Sequence, residues 1–229
     1  MVLGKIEIES DLLVADQVFE AIHRAIMNGS FPAGHPLPIR KLAAELGTSV
    51  MPVRAAIGRL EESGLAEKTP YKAAVVKGLS AEELVHVYDA RLLLEVDAVR
   101  RGVLGAFESD LELMRQHYEG MVQAVANERA ADLLDHDEGL LGVLYVAGGN
   151  PVIVEMIRTL WQRCRPYKIA GVQNTLESGD RSVLLIFQKR LLDAAAANDA
   201  EAAARIHKES ILNATARIRQ LLQGAASRH

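Results

Sequence analysis

Residues 46–65 read LGTSVMPVRAAIGRLEESGL, and this stretch decides the fold of the first third of the 229-residue chain. After a Gly-Thr-Ser turn, apolar residues recur at Val53, Ile57 and Leu60, which is the spacing of one face of an α-helix. Ser49 is a residue type preferred at a helix N-cap, and Gly64 is one that often ends a helix. The stretch therefore predicts a short amphipathic helix with an exposed outer face.

The segments around this helix predict a winged helix-turn-helix domain over residues 1–78. Apolar periodicity indicates two earlier helices, over 11–28 and 39–46, and two β-prone segments follow, over 65–69 and 73–76. Three short helices and a small β-hairpin make up a winged helix-turn-helix, in which the start of the third helix enters the DNA major groove. The alternative interpretation is an ordinary helical corner with a solvated, charged face.

Residues 79–229 predict an all-α antiparallel helical bundle, so the fold class is mainly α. Ser80 with Glu83, and Ser109 with Glu112, have the spacing of capping boxes at helix starts. Helical periodicity then continues to the end of the chain. The predicted helices lie near residues 81–104, 110–127, 129–147, 151–172, 180–197 and 200–222.

Charge is distributed unevenly along the chain. The whole chain has a formal net charge of −4, which excludes a protein that is basic throughout. Residues 30–77 carry seven Lys/Arg against four Asp/Glu, a net charge of +3. A mildly basic segment joined to an acidic helical body favours a polyanion-binding domain attached to a domain of another kind.

The cellular compartment is predicted from the lack of a possible internal disulfide, of a signal-peptide pattern and of a membrane-spanning stretch. The single cysteine, Cys164, cannot form an internal disulfide, which suits a reducing compartment. The N-terminus lacks the pattern of a signal peptide, and no apolar stretch is long enough to cross a bilayer. We therefore expect a cytoplasmic protein with no membrane partner. Basic neighbours in WQRCRPYK could lower the pKa of the cysteine thiol.

The outer face of the helix after residue 49 supplies most of the predicted DNA contacts. Arg54 can donate two hydrogen bonds to O6 and N7 of guanine, and Arg40 can reach a base or a phosphate. Lys41, Lys68 and Lys72 are predicted phosphate contacts, which position a protein on DNA without reading sequence. The predicted DNA-binding residues are Arg40, Lys41, Ser49, Val50, Met51, Arg54, Tyr71 and Lys72.

Four motifs in this part of the chain, IMNGSFPAG, LAAELGTS, PVRAAI and RLEESGL, give it a family resemblance. The chain resembles the DNA-binding domain of the GntR family of bacterial transcription regulators. The resemblance implies that Arg40 and Arg54 contact bases, whereas Val50 stands where the family usually has a third arginine. Val50 and Met51 can offer apolar contact to thymine methyl groups. We therefore expect an operator that departs from the family's common one.

The helical part contains VYDARLLLEVDAV, GGNPVIVEMI and DAAAANDAEAAARIH, which resemble the FCD effector-binding domain of the FadR subfamily. Many such domains bind a divalent metal through an aspartate and three histidines. The resemblance places those four ligands at Asp137, Leu141, Gln188 and Ser210. One carboxylate with such neighbours is a poor transition-metal site, so we predict no metal and no cofactor. His136 and His207 are interpreted as scattered surface histidines that do not rescue a site.

The same resemblance suggests where an effector would bind. In R-x-x-x-E segments of this kind the arginine, here Arg91, often faces the cavity, where it can hold a carboxylate bidentately. The alternative is that Arg91 and Glu95 form a surface ion pair of little energetic value. Gln188 interrupts an apolar stripe, so it either satisfies a buried group or contacts a ligand. The predicted effector-binding residues are Arg91, Asp137, Gln188, Ser210 and Asn213.

These observations predict a homodimeric transcription regulator rather than an enzyme. Its partners would be a double-stranded DNA operator and a small organic effector, a carboxylate, that changes operator affinity. The alternatives are an all-helical metabolic enzyme or a metal-dependent sensor with an accessory DNA-binding domain, and a structural adaptor. No nucleophile–base pair or glycine-rich phosphate loop in the sequence supports an enzyme.

Overall fold

The computed structural model describes residues 9–68, 73–179 and 181–226. The chain divides into two compact units, Met1–Gly78 and Leu79–His229. Both units are mainly α-helical, as the sequence predicts. No helix in these described ranges is both long and apolar enough to cross a membrane.

In the first unit, residues 9–68 and 73–78 form three helices and a three-stranded antiparallel sheet. Its elements are α1 Glu9–Met27, β1 Pro36–Leu37, α2 Ile39–Glu45, α3 Val50–Glu62, β2 Ala66–Glu67 and β3 Ala74–Val76. The predicted hairpin is β2 and β3, and β1 adds to its free edge, giving the order β1-β3-β2. The sequence did not reveal β1, because a strand of two residues, one of them a proline, is too short to show an alternating pattern.

The core of the first unit forms where α1 packs on α3. The predicted inward stripe of α3, Val53, Ile57 and Leu60, is buried against Ile22 and Ile26 of α1. Gly64 ends α3 with a φ of 73°, a left-handed conformation that residues with a Cβ rarely adopt. This core faces one side of α3 and leaves the other side to solvent.

The described residues of the second unit form six α-helices and one short 3₁₀ helix. They are α4 Ala81–Gly105, α5 Glu108–Ala126, α6 Ala130–Ala147, α7 Pro151–Ser178, the 3₁₀ helix Arg181–Leu184, α8 Ile186–Ala196 and α9 Ala200–Ala226. α7 runs six residues past its predicted end at residue 172, because residues 173–178 contain no glycine or proline and Gly179, with a φ of 89°, is the next residue that favours a helix end. α8 begins at Ile186 rather than at residue 180, since the 3₁₀ helix occupies the preceding segment.

One of the two predicted capping boxes is confirmed and the other is wrong. Ser80 Oγ accepts the Glu83 N–H at 3.1 Å, and Glu83 Oε2 accepts the Ser80 N–H at 2.8 Å. At α5 the N-cap is Phe107, whose N–H is accepted by Asp110 Oδ2 at 2.8 Å. Ser109 therefore lies inside the first turn, because the nearer Asp110 caps the helix two residues earlier than predicted.

The bundle core is built around a close crossing of α4 and α6. Gly102 of α4 faces the backbone of Leu144 so closely that an added Cβ would lie 2.1 Å from the Leu144 carbonyl oxygen. Leu140 and Leu144 are fully buried on α6. This crossing positions the polar residues of α4 and α6 inside the second unit.

Candidate functional site

The start of α3 presents the predicted DNA-reading residues to solvent. Met51 is 68% exposed, Val50 is 36% exposed, and Arg54 is exposed one turn further along the helix. Ser49 is the N-cap residue of α3, but its hydroxyl accepts no capping hydrogen bond. These four residues form what we call the reading face of α3.

Arg40 and Lys41 lie exposed in the first turn of α2. Lys41 Nζ is 3.8 Å from Glu45 Oε1, and both side chains are more than half exposed. Within the described part of the chain, neither Arg40 nor Arg54 is held by an ion pair or a side-chain hydrogen bond. Their guanidinium donors are therefore available to a partner, as guanine or phosphate recognition requires.

Two further basic residues of this unit, Arg59 and Lys68, form ion pairs. Arg59, at the far end of α3, pairs with Asp16 and stacks over the Phe19 ring at 4.2 Å, so it links α3 to α1. Lys68 is exposed and its Nζ lies 3.1 Å from Glu61 Oε2. The predicted contacts Tyr71 and Lys72 lie outside the described residues.

In the second unit, Asp137, Lys168 and Gln188 form a polar cluster that we call the aspartate cluster. Asp137 Oδ1 accepts a hydrogen bond from Gln188 Nε2 at 2.6 Å, and Oδ2 accepts one from Lys168 Nζ at 3.1 Å. The three residues come from α6, α7 and α8, and Asp137 is only 7% exposed. Two predicted effector residues, Asp137 and Gln188, are thus brought into direct contact.

Lys168 was not identified from the sequence, because it lies in the basic stretch WQRCRPYK, which has the composition of a solvated surface. Its side chain is only 13% exposed. Burial lowers the pKa of Lys168, but the negative charges of Asp137 and Glu138 together raise it by more. The pKa of Lys168 therefore lies above its ordinary value. The ammonium therefore stays charged inside the bundle.

Arg91 and Glu95 form a buried ion pair, so the alternative of a surface pair is wrong. Arg91 Nε donates to Glu95 Oε1 at 2.7 Å and Nη2 donates to Oε2 at 3.3 Å. Arg91 is 4% exposed and Glu95 is fully buried. Burial raises the pKa of Glu95, but the Arg91 charge and the His207 hydrogen bond outweigh it and hold that pKa well below its ordinary range.

Three further side chains complete the shell around Glu95, and sequence reasoning missed all of them. Tyr145 and Trp161 donate to its carboxylate at 2.9 Å each, and His207 Nε2 lies 3.0 Å from Oε2. The interpretation of His207 as a surface histidine is therefore wrong. His207 lies one turn after the buried Ala203 on α9, and this helical spacing could have predicted from the sequence that it faces inward.

Cys164 lies against the same network rather than in a reactive site. It is fully buried, with Sγ 3.7 Å from Arg91 Nη1. Burial raises the pKa of the thiol, and this exceeds the lowering by Arg91 and Lys168. The expectation that basic neighbours lower this pKa is wrong, because α7 turns Cys164 inward, away from solvent.

The remaining predicted effector residues are not part of the aspartate cluster. Ser210 is half-buried and Asn213 is exposed on α9. Arg91 directs its donors to Glu95 and Cys164, so its contact with an effector stays a prediction. A surface cavity of about 360 Å³ lies elsewhere, lined by Val146, Gly149, Pro151, Val154, Glu155 and Arg158.

Two family models match the chain, one in each unit. The model described as bacterial regulatory proteins, gntR family, matches residues 14–76. The FCD domain model matches residues 86–213, more than half of the chain. The chain belongs to the GntR family. It is a DNA-binding transcription regulator with an FCD domain, which confirms the predicted family and the prediction of a regulator rather than an enzyme.

Curated relatives of this GntR-family chain are HTH-type regulators. It is 31% identical over 112 residues to an HTH-type transcriptional regulator of Agrobacterium vitis, covering 47% of this chain and 64% of the relative. It is 27% identical over 150 residues to the HTH-type transcriptional regulator McbR of Escherichia coli, covering 66% and 68%. The first of these matches thus spans less than two thirds of the relative's own length.

Solved structures of GntR regulators share the fold over nearly the whole chain. The E. coli McbR/YncC structure superposes with a TM-score of 0.76 at 25% identity, covering 91% of this chain and 98% of that one. A GntR regulator from Rhodococcus sp. RHA1 gives a TM-score of 0.77 at 23% identity, covering 90% and 97%. The winged domain followed by an all-α domain is therefore the architecture of this chain too.

The donor set in this GntR-family chain does not fit the divalent metal that FCD-type domains often hold. Of the four positions, Asp137 alone offers an anionic ligand, and both of its oxygens already accept hydrogen bonds. Leu141 is 2% exposed and has no donor atom to offer. Among the described residues there is no group of three or more His, Cys, Asp or Glu side chains arranged to hold a metal ion.

Proposed function

We propose that this regulator binds its operator as a homodimer through the reading face of α3. The observation that carries the proposal is Arg54, exposed and unpaired among the described residues, beside Val50 and Met51. Two copies related by a two-fold axis would place two such faces about one helical turn apart on DNA, so the operator would be a near-palindrome.

Each residue of the reading face has a chemical task on DNA. Arg54 would donate bidentately to a guanine, whereas Val50 and Met51 would pack against thymine methyl groups. Lys41, in the first turn of α2, would contact a phosphate, where it adds affinity without sequence preference. We therefore expect the half-site to carry thymine opposite Val50, where the family's usual arginine would select guanine.

The experiment first selects DNA from a random library with the full chain and then compares variants on selected and random DNA. Arg54→Ala is expected to lose about 1–3 kcal/mol on selected DNA and much less on random DNA, because a base contact is removed. Lys41→Ala is the matched control, since it should weaken both DNAs similarly and make the salt dependence shallower. Equal losses on both DNAs for Arg54→Ala would refute the proposed base contact of Arg54. Selection of the family's common half-site would refute the proposed thymine contact of Val50.

We propose further that a small organic carboxylate binds beside the aspartate cluster and changes operator affinity. An ammonium has three N–H donors, and among the described residues only Asp137 accepts one from Lys168 within hydrogen-bond distance. Glu138 Oε1 lies beyond that distance, 3.8 Å from Lys168 Nζ. The remaining donors can hold a carboxylate. Arg91 would act on this site only if it left Glu95.

This effector proposal is tested by linkage between the two ligands. Metabolite carboxylates are screened by thermal shift. A hit must change the dissociation constant of the protein for selected DNA, and selected DNA must change the dissociation constant for the hit by the same factor. Lys168→Gln keeps a donor for Asp137 without the charge and should abolish binding of the hit. Lys189→Gln, an exposed lysine on α8, is the control. Unchanged binding to Lys168→Gln contradicts the proposed contact.

A further inference from the structure

We infer that Lys168 is a resident cation that occupies the space which the FCD-type ligand set gives to a divalent metal ion, so that this domain is built to fold without metal. The inference concerns the protein's own side chains. It does not depend on the identity of an effector, or on whether one binds.

The first observation is how completely the Asp137 carboxylate is used. In the FCD-type ligand set, Asp137 and a histidine at position 188 would both hold the ion. Here Gln188 Nε2 and Lys168 Nζ lie 2.6 Å and 3.1 Å from the two Asp137 oxygens. The lysine thus reaches the carboxylate from a third helix, α7, on which the ligand set has no member.

The second observation is charge. A buried carboxylate needs a cation or several hydrogen bonds, and a metal ion normally supplies this charge in such a site. The ammonium supplies it here, with its side chain 13% exposed and a second carboxylate, Glu138, 3.8 Å away. A divalent ion placed beside the same aspartate would be repelled by this fixed positive charge.

The third observation is that none of the three histidine positions carries an imidazole. Leu141 is buried and apolar, Ser210 has a neutral hydroxyl, and Gln188 directs an N–H, not an oxygen, toward Asp137. An N–H group cannot coordinate a cation. Both oxygens of the Asp137 carboxylate therefore accept a hydrogen bond from the protein itself, one from the Gln188 amide and one from the Lys168 ammonium.

Restoring the histidines with and without the lysine tests this inference. The triple variant Leu141→His, Gln188→His, Ser210→His retains Lys168, and the quadruple variant adds Lys168→Ala. Full-length proteins are stripped with EDTA, given Zn²⁺ alone and desalted. Their zinc content is measured by mass spectrometry and their zinc affinity by competition with a chelating indicator. A Lys189→Ala addition to the triple variant removes an exposed lysine instead and is the matched control.

The quadruple variant is expected to bind about one zinc ion per chain, because an aspartate and three histidines complete a four-ligand site. The triple variant and its Lys189→Ala control should bind zinc more weakly by a factor on the order of 100, since the ammonium competes for the same place. Equal zinc affinity of the triple and quadruple variants overturns the inference. A quadruple variant that binds no zinc also overturns it, because the four ligand positions would then not surround the place of the ammonium. Stoichiometric zinc in the unmodified protein overturns it as well.

A second measurement uses stability alone and needs no metal. Lys168→Met should lower the urea midpoint of the unmodified protein, because it leaves a buried carboxylate without its cation. In an Asp137→Asn background the same change should cost less than about half as much, since the Asp137 charge is gone and Glu138 keeps its ion pair with Arg165. Equal shifts in the two backgrounds would show that Lys168 is not the counter-ion of Asp137, and the inference would fail.

Discussion

Arg91→Met is expected to lower the free energy of unfolding by about 3–5 kcal/mol, a large part of the stability of a typical domain. The substitution roughly preserves side-chain volume but removes the charge that faces Glu95. Glu95 is fully buried, and its other donors are the neutral groups of Tyr145 and Trp161 and the ring of His207. An uncompensated carboxylate would then remain in the core. Urea unfolding at neutral pH measures the loss.

The pH dependence of this loss separates charge from packing. In the unmodified protein the pKa of Glu95 lies below its ordinary value, so its contribution to stability is present above pH 4.5 and is lost as the pH falls further. Without Arg91 the largest remaining influence is burial, which raises the pKa of Glu95 above its unfolded value. The destabilisation by Arg91→Met should therefore shrink as the pH falls from neutrality, because the carboxyl group then takes up a proton and loses its charge.

Two companion variants complete the experiment. Arg91→Met with Glu95→Gln should recover much of the loss, because the amide keeps an acceptor for Trp161 without a charge. Arg100→Met is the matched control, since Arg100 Nε lies 2.7 Å from Glu201 Oε1, the same distance as in the buried pair, but both side chains are exposed. It should change the unfolding free energy little. A loss for Arg91→Met as small as that of the control would contradict the assigned burial.

This pair also shows where sequence reasoning stopped. The four-residue spacing of Arg91 and Glu95 on one helix was readable, and so was the apolar stripe of α3, because both depend on local periodicity. Whether the pair lies inside or outside depends on the packing of α7 and α9 against α4, which place Trp161 and His207 around the carboxylate. No local pattern in residues 81–105 contains that information.

The aspartate cluster also shows which residues of a site the sequence can and cannot predict. Matching to the FCD pattern located Asp137 and Gln188 correctly as neighbours, because family motifs carry spatial information that periodicity lacks. Lys168 belongs to no such motif and sits among other basic residues, so its composition indicated a surface. Its burial depends on the packing of α7 against α6, which brings Lys168 Nζ to 3.1 Å from Asp137.

Gly102→Ala is expected to destabilise the second unit by about 3 kcal/mol, the upper end of the usual cost of overpacking a core. A Cβ at Gly102 would lie 2.1 Å from the Leu144 oxygen, 2.6 Å from its carbonyl carbon and 2.9 Å from its Cα. All three atoms are backbone, so no side-chain rotation relieves the clash, and α4 and α6 must move apart. Separated helices would leave gaps around the buried Leu140 and Leu144 side chains.

Two other glycines make the same substitution an internal comparison. A Cβ at Gly142 of α6 meets no atom within 4 Å, so Gly142→Ala should stabilise the protein by about 0.5–1 kcal/mol through the higher helix propensity of alanine. The three atoms nearest to a Cβ at Gly120 belong to the His136 side chain and not to backbone, so Gly120→Ala should cost less than Gly102→Ala. Urea unfolding of the three variants is expected to rank Gly142→Ala as most stable, then Gly120→Ala, then Gly102→Ala. If Gly102→Ala were as stable as Gly142→Ala, α4 and α6 could not cross as closely as the fold requires.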